Sequence, residues 1–162
     1  DMALWACHLP LDAHPLLGNN ARLAALLGLR ERAPFGVCHG QTIGWRGVLP
    51  RAVPRARFAA RLRRAVSPRL RVMPFGPATI RSVGIISGGA GAETAQAAEA
   101  GLDAYLSGEA TLQAYNLACQ TGVNAFFAGH YATERFGVQA VGGWVRRRFG
   151  LPATFIDLAI PC

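Results

Sequence analysis

Lysine is absent from these 162 residues: all 17 basic side chains are Arg. Acidic side chains are scarce as well, nine in total, and none falls between Glu31 and Glu93. No apolar run reaches the ~18–20 residues a bilayer span requires, and no basic-then-apolar cleavage pattern opens the chain, so no membrane partner is expected. Cysteine is sparse and scattered. Cys7, Cys38, Cys119 and Cys162 form no C-x-x-C pair, which argues against zinc ribbons and dithiol redox motifs. Free thiols in a reducing compartment are the expectation, and the cytoplasm the expected location. With 51% apolar and only 16% charged residues the chain is not intrinsically disordered. Its length suits one large domain or two small ones. The sequence begins at Asp1 and runs directly into the apolar stretch Met2–Cys7, so it is expected to be an internal piece of a longer chain.

What the chain does have is positive charge, formally +8. Nine of the arginines lie between Arg46 and Arg71. Guanidinium forks pair bidentately with phosphate oxygens, so this segment can be read as a phosphate-binding patch. The complete lack of Lys points instead to a general Arg bias, and Arg61, Arg63 and Arg64 sit where a helix exposes a solvated face. Nucleic-acid binders interleave aromatics with their basic residues, and here only Trp45 and Phe58 are near. Nucleic acid is therefore not the favoured partner. Attraction of a small anionic molecule follows more simply from the same charge.

Periodicity predicts a buried strand at Met2–Cys7. A helix follows from Pro15 to Gly28, with Leu16, Asn20, Leu23 and Leu27 on one face. Phe35–His39 and Thr42–Leu49 read as short strands joined at Gly40-Gln41. Phe58, Leu62, Ala65 and Val66 mark an Arg-rich amphipathic helix ending at Ser67-Pro68. Strands at Leu70–Met73, Ile80–Ile86, Ala104–Leu106 and Val123–Ala128 then alternate with helices at Ala92–Ala100, Ala110–Gln120 and Tyr131–Phe149. A last strand is predicted at Thr154–Leu158. The alternation with short joins predicts a layered α/β fold with mixed sheets, at least partly parallel.

In open α/β sheets ligands gather beyond the carboxyl ends of strands. Three such ends carry chemistry here: His8…Asp12…His14, Gly108-Glu109, and His130…Glu134. The last pair is four residues apart at a helix start, so imidazole and carboxylate share a face and can converge on one ion. The positive helix end also favours the carboxylate. Each pattern has a plainer reading. His130 and Glu134 fit a helix-face pair or cap, Asp12 a helix cap, His8 a histidine bonded to backbone, and Glu109 a first-turn acid. Ser87-Gly88-Gly89-Ala90-Gly91 lacks both G-x-G-x-x-G and a P-loop Lys, and a turn suffices for it. Taken together, imidazoles and carboxylates at the ends of separate strands suit Zn, Mn, Fe, Co or Ni rather than a thiolate site.

The runs His8-Leu9-Pro10-Leu11-Asp12-Ala13-His14-Pro15 and Leu17-Gly18-Asn19-Asn20 resemble a signature of the dinuclear-metal-centre hexameric proteins. These are the GTP cyclohydrolase type 2 homologues related to NGG-interacting factor three. Ser87–Gly91, Asp103–Glu109, Ala128–Glu134 with Phe136–Ala140, and Phe155-Ile156-Asp157 fit in the same order along nearly the whole chain. The resemblance implies two similar α/β subdomains, the second inserted into the first. Residues 1–50 and 130–162 would belong to the first and 51–129 to the insertion, with the final helix and strand returning beside residues 1–50. It also implies a homo-hexamer and two divalent metal ions per full-length subunit. Asp12, His130 and Glu134 match the family's metal ligands, and an early histidine pair has no counterpart here. His8 and Glu109 are expected beside the ions. The function implied is metal-dependent hydrolysis of a small anionic or nucleotide substrate, with Glu134 holding the ions and His8 shuttling a proton. A non-enzymatic, metal-binding hexameric scaffold or partner-binding protein is the alternative.

Overall fold

The computed structural model describes residues 1–158 and 160. One mixed six-stranded sheet organises them, in the order β1-β2-β4-β5-β6-β3. β1 (Arg30–Cys38) and β2 (Gln41–Pro54) form an antiparallel hairpin. Its two-residue turn, His39-Gly40, has positive φ at both positions, the twist-matched geometry for a tight hairpin. β2 pairs antiparallel with β4 (Thr79–Ile85). β4, β5 (Ala104–Ser107) and β6 (Asn124–Phe127) run parallel, and β3 (Arg71–Pro74) closes the far edge antiparallel to β6.

β5 and β6 are buried on both faces, as is the carboxyl half of β4, which is why they read as short continuous runs of buried residues. The two-residue side-chain period splits each run between two cores. Ile85, Leu106 and Phe126 face one, packed with Leu23 and Leu27 of α2 (Asn19–Leu26 and its cap) and Phe58 and Leu62 of α3 (Arg55–Ala65). Ile86, Tyr105 and Phe127 face the other, with Ala97 of α4 (Thr94–Glu99) and Ala114 and Ala118 of α5 (Leu112–Thr121). The result is helix, sheet, helix in three layers. α6 (His130–Phe149) packs against α2, and the short α1 (Leu9–Ala13) against α2 and β2.

Several expectations change. Met2–Cys7 is not a strand: Met2, Leu4 and Trp5 are 99%, 95% and 93% exposed. An apolar run signals burial only when a second surface is present to cover it. Residues 154–158 pair with no strand, so the predicted last strand is absent among the described residues. Helix α2 begins at Asn19 rather than Pro15, because His14 Nδ1 accepts the Leu16 and Leu17 N–H groups and holds that segment in a turn. β2 extends to Pro54 and pairs with β4 in the same sheet. Cys7, Cys38 and Cys119 are free thiols, and Cys162 lies outside the described residues. No helix is long and apolar enough to cross a membrane among those described.

Candidate metal centre

Because β4, β5 and β6 are parallel, their carboxyl ends deliver three loops to one place. The backbone ties these loops together. Gly88 O accepts from Gly108 N at 3.0 Å and Glu109 N at 3.1 Å, and Gly108 O accepts from Gly129 N at 2.9 Å. Gly108 sits where a Cβ would lie 2.5 Å from Gly88 O and 2.8 Å from His130 Cα, so only glycine lets the loops close this tightly. Gly88 has φ +72°, and its N–H donates to Thr133 Oγ1 at 3.0 Å. These bonds pin the start of α6, and with it His130 and Glu134.

His130 lies between two carboxylates. Its Nδ1 is 2.6 Å from Glu109 Oε1 and its Nε2 is 3.3 Å from Glu134 Oε1. A carboxylate only accepts, so Nδ1 carries the proton toward Glu109. In the neutral ring the Nε2 lone pair then faces a second carboxylate. That contact needs a proton between the two, on Nε2 or on the Glu134 carboxyl, or a metal ion. The titration behaviour follows the same logic. Burial pulls the His130 pKa down, yet the Glu109 hydrogen bond and the charges of Glu134, Glu109 and Asp12 carry it above its ordinary value. Burial is the main force pushing Glu134 up; Asp12 adds to it, while His130 and His8 act the other way.

Asp12 comes from the opposite side, on α1, and is buried. It does not cap a helix. Both hydrogen bonds to its carboxylate fall on Oδ1, from Asn19 Nδ2 at 2.7 Å and Ser87 Oγ at 3.2 Å. Its charge acts on both His130 and Glu134, so folding brings beginning and end of the chain together. His8, exposed at the head of α1, is close enough for its charge to act on Glu134. His14 is spent on backbone N–H groups and takes no part. Glu109 lies two residues before Thr111, which caps α5 through the Ala114 N–H, so its carboxylate is left for His130.

Residue-by-residue reading did not single out the asparagines that assemble this face. Asn20, fully buried, donates to Ile43 O at 2.9 Å and Asp12 O at 3.3 Å and accepts from Ser87 N at 2.7 Å. Asn19 links Asp12 to α6 by accepting from Gly137 N at 2.6 Å. Two adjacent Asn at a helix start, four residues after a histidine–proline turn, were the available signal.

The donor set, imidazole with carboxylates, suits a divalent cation. Imidazole and carboxylate converge beside Gly88, where a Cβ would strike Glu134 Oε1 and come within 3.1 Å of His130 Nε2. As arranged, however, His130 and Glu134 are drawn onto each other, and no group of three or more His, Cys, Asp or Glu among the described residues is spaced to hold an ion. Beside the cluster, a cleft of about 600 Å³ runs along Glu109, Gly129 and Tyr131 to Arg69, Arg71 and Arg135.

The chain is 41% identical over 157 residues to a GTP cyclohydrolase 1 type 2 homolog of Deinococcus radiodurans, covering 97% of this chain and 60% of that protein. It is 37% identical to the homolog of Archaeoglobus fulgidus, covering 98% and 62% respectively. The chain thus spans about three-fifths of the length of these curated relatives. Among solved structures, protein ybgI, of unknown function, superposes with a TM-score of 0.87 at 34% identity over 98% of this chain and 62% of its own. TTHA1606 from Thermus thermophilus gives 0.85 at 31%, with the same coverage. The profile of the Duf34/NIF3 family, NGG1p interacting factor 3, matches residues 1–160, and the chain belongs to that family.

Proposed function

We propose that the whole protein binds a pair of divalent metal ions and acts as a metal-dependent hydrolase on a small anionic or nucleotide substrate. The observation that carries this reading is the Glu109–His130–Glu134 line. A carboxylate on Nδ1 fixes the tautomer and orients Nε2 outward, the usual support for a metal-binding imidazole. His130, Glu134 and Asp12 would hold one ion, and donors from the rest of the protein would complete the pair. When bound, such ions supply Lewis acidity, polarising a substrate oxygen and making water nucleophilic at neutral pH. Glu109 orients His130, Asn19 and Ser87 orient Asp12, and His8 moves a proton at the rim. The adjoining cleft offers Arg69 and Arg71 to an anionic group. The relatives' shared name, GTP cyclohydrolase 1 type 2 homolog, supports a nucleotide among the substrates to be tried. The inserted second subdomain, 51–129 within 1–50 and 130–162, and a homo-hexameric assembly belong to the same proposal.

The test is turnover by the metal-loaded whole protein across a panel of nucleotides and phosphoesters. Metal-dependent hydrolysis that Glu134→Gln abolishes is expected. Complete inactivity across the panel would remove the enzyme reading. The alternative, a non-enzymatic metal-binding hexameric scaffold, is favoured by one observation: the uncovered apolar side chains of Met2, Leu4 and Trp5. Under it, Asp12→Ala and Glu134→Ala disturb metal content or assembly while no rate exists to change.

A further inference from the structure

A second site lies beside α3 and the Val53 end of β2, which pairs with the start of β4 rather than its carboxyl end. Arg57, Arg61 and Arg64 follow one another at i, i+4 and i+7, so they share one face of α3. With Arg51 of β2 they line a cleft of about 520 Å³ whose floor includes Leu49, Val53 and the wholly buried Phe58. Like charges at i, i+4 spacing destabilise a helix unless something offsets them. Nothing acidic does so here. Among the described residues no carboxylate pairs with any of the four, and the only arginine in an ion pair is Arg135, with Asp157. Arg61 is held in place by donating to Leu26 O at 2.7 Å, which fixes one guanidinium at the cleft wall. We propose that this cleft binds the phosphate groups of a small polyphosphate anion, such as the tail of a nucleotide. Guanidinium forks match phosphate oxygens bidentately, and a cleft of this size accepts one small molecule. A single-stranded nucleic acid would need an exposed ring for base stacking. The one aromatic in the cleft, Phe58, is 1% exposed and packed edge-on against Phe126.

The experiment is calorimetric titration of the chain with inorganic pyrophosphate at fixed ionic strength, repeated with Arg57→Ala, Arg64→Ala and Arg63→Ala. Arg63 is exposed on the same helix but outside the cleft, so its variant controls for general charge. Removing a charge-assisted contact should weaken pyrophosphate by about tenfold or more for Arg57→Ala and Arg64→Ala. Arg63→Ala should leave affinity nearly unchanged. Arg57 and Arg64 are exposed, so their loss leaves the core intact, and circular dichroism of each variant checks this directly. Three results would overturn the proposal. These are no saturable binding by the unsubstituted chain, equal loss in all three variants, and tighter binding of an oligonucleotide that depends on the same two residues.

Discussion

Two regions of the molecule treat charge in opposite ways. Around α3, arginines crowd one cleft with no acid to balance them. At the carboxyl ends of β4, β5 and β6, a chain with only nine acids places three of them, Asp12, Glu109 and Glu134, around one imidazole. None of the 17 arginines forms an ion pair with that cluster among the described residues. The arginines of α3 stand largely in solvent, whereas the acidic cluster is held by buried asparagines and by glycines that admit no side chain. Three carboxylates gathered around one imidazole, with no arginine paired to them, favour a cation at that place.

The largest expected effect strikes the scaffold that keeps this difference. Asn20→Ala removes three buried hydrogen bonds and leaves Ser87 N, Ile43 O and Asp12 O short of partners. It should cost about 2–4 kcal/mol in urea denaturation. A cost near zero would mean that the acidic face is not fixed as described.

Next is Gly88→Ala. The positive φ alone costs about 1–2 kcal/mol for a residue with a Cβ. The new methyl also displaces Glu134, so divalent-metal affinity should fall together with stability. Retention of full affinity would show that Glu134 is not a ligand in its present position.

A smaller effect separates the roles of the acids. Glu109→Gln removes the charged acceptor on Nδ1, and the His130 pKa, followed by NMR, should fall toward or below its ordinary value. The sign of the pH dependence follows. A histidine raised in the folded state contributes stability that is complete below its unfolded pKa of ~6.5 and lost as pH rises through the folded value. Glu134, raised by burial, runs the same way from a lower pH. The metal-free chain should therefore lose stability from mildly acidic to neutral pH, and less so in Glu109→Gln. Metal affinity should move oppositely, rising with pH as His130 gives up its proton. A pH-independent stability would contradict the cluster's electrostatics.

The smallest effect tests the cationic side. Arg57→Glu puts an acid four residues before Arg61, and should stabilise α3 by about 0.3–0.5 kcal/mol. A destabilisation would show that the arginines already have partners.

The sheet was legible where side-chain period and burial agree. Val123–Ala128 is buried at every position, and in Ile80–Ile86 only Arg81 and Ser82 interrupt the burial. The exposed Met2–Cys7 and Thr154–Leu158 segments misled because hydrophobicity reports what a residue would gain from cover, not whether cover exists. His130 and Glu134 could be paired from spacing alone, since a helix start fixes their geometry. Asp12 stands out as one of three polar strand ends, but only the family resemblance marks it as a ligand, because its approach depends on α1 and on contacts across more than a hundred residues. Asn20 reads only as part of a helix face and Asn19 only as part of the family signature, because a polar side chain that bridges buried backbone looks the same in sequence as one that faces water.

The central claim is that Asp12, His130 and Glu134 take a divalent cation together. Elemental analysis of the whole protein, purified without chelator, tests it most directly when repeated on Asp12→Ala and His130→Ala. The account predicts stoichiometric divalent metal in the unsubstituted protein and a loss of at least one ion per chain in each folded variant. Undiminished metal content in both would contradict it.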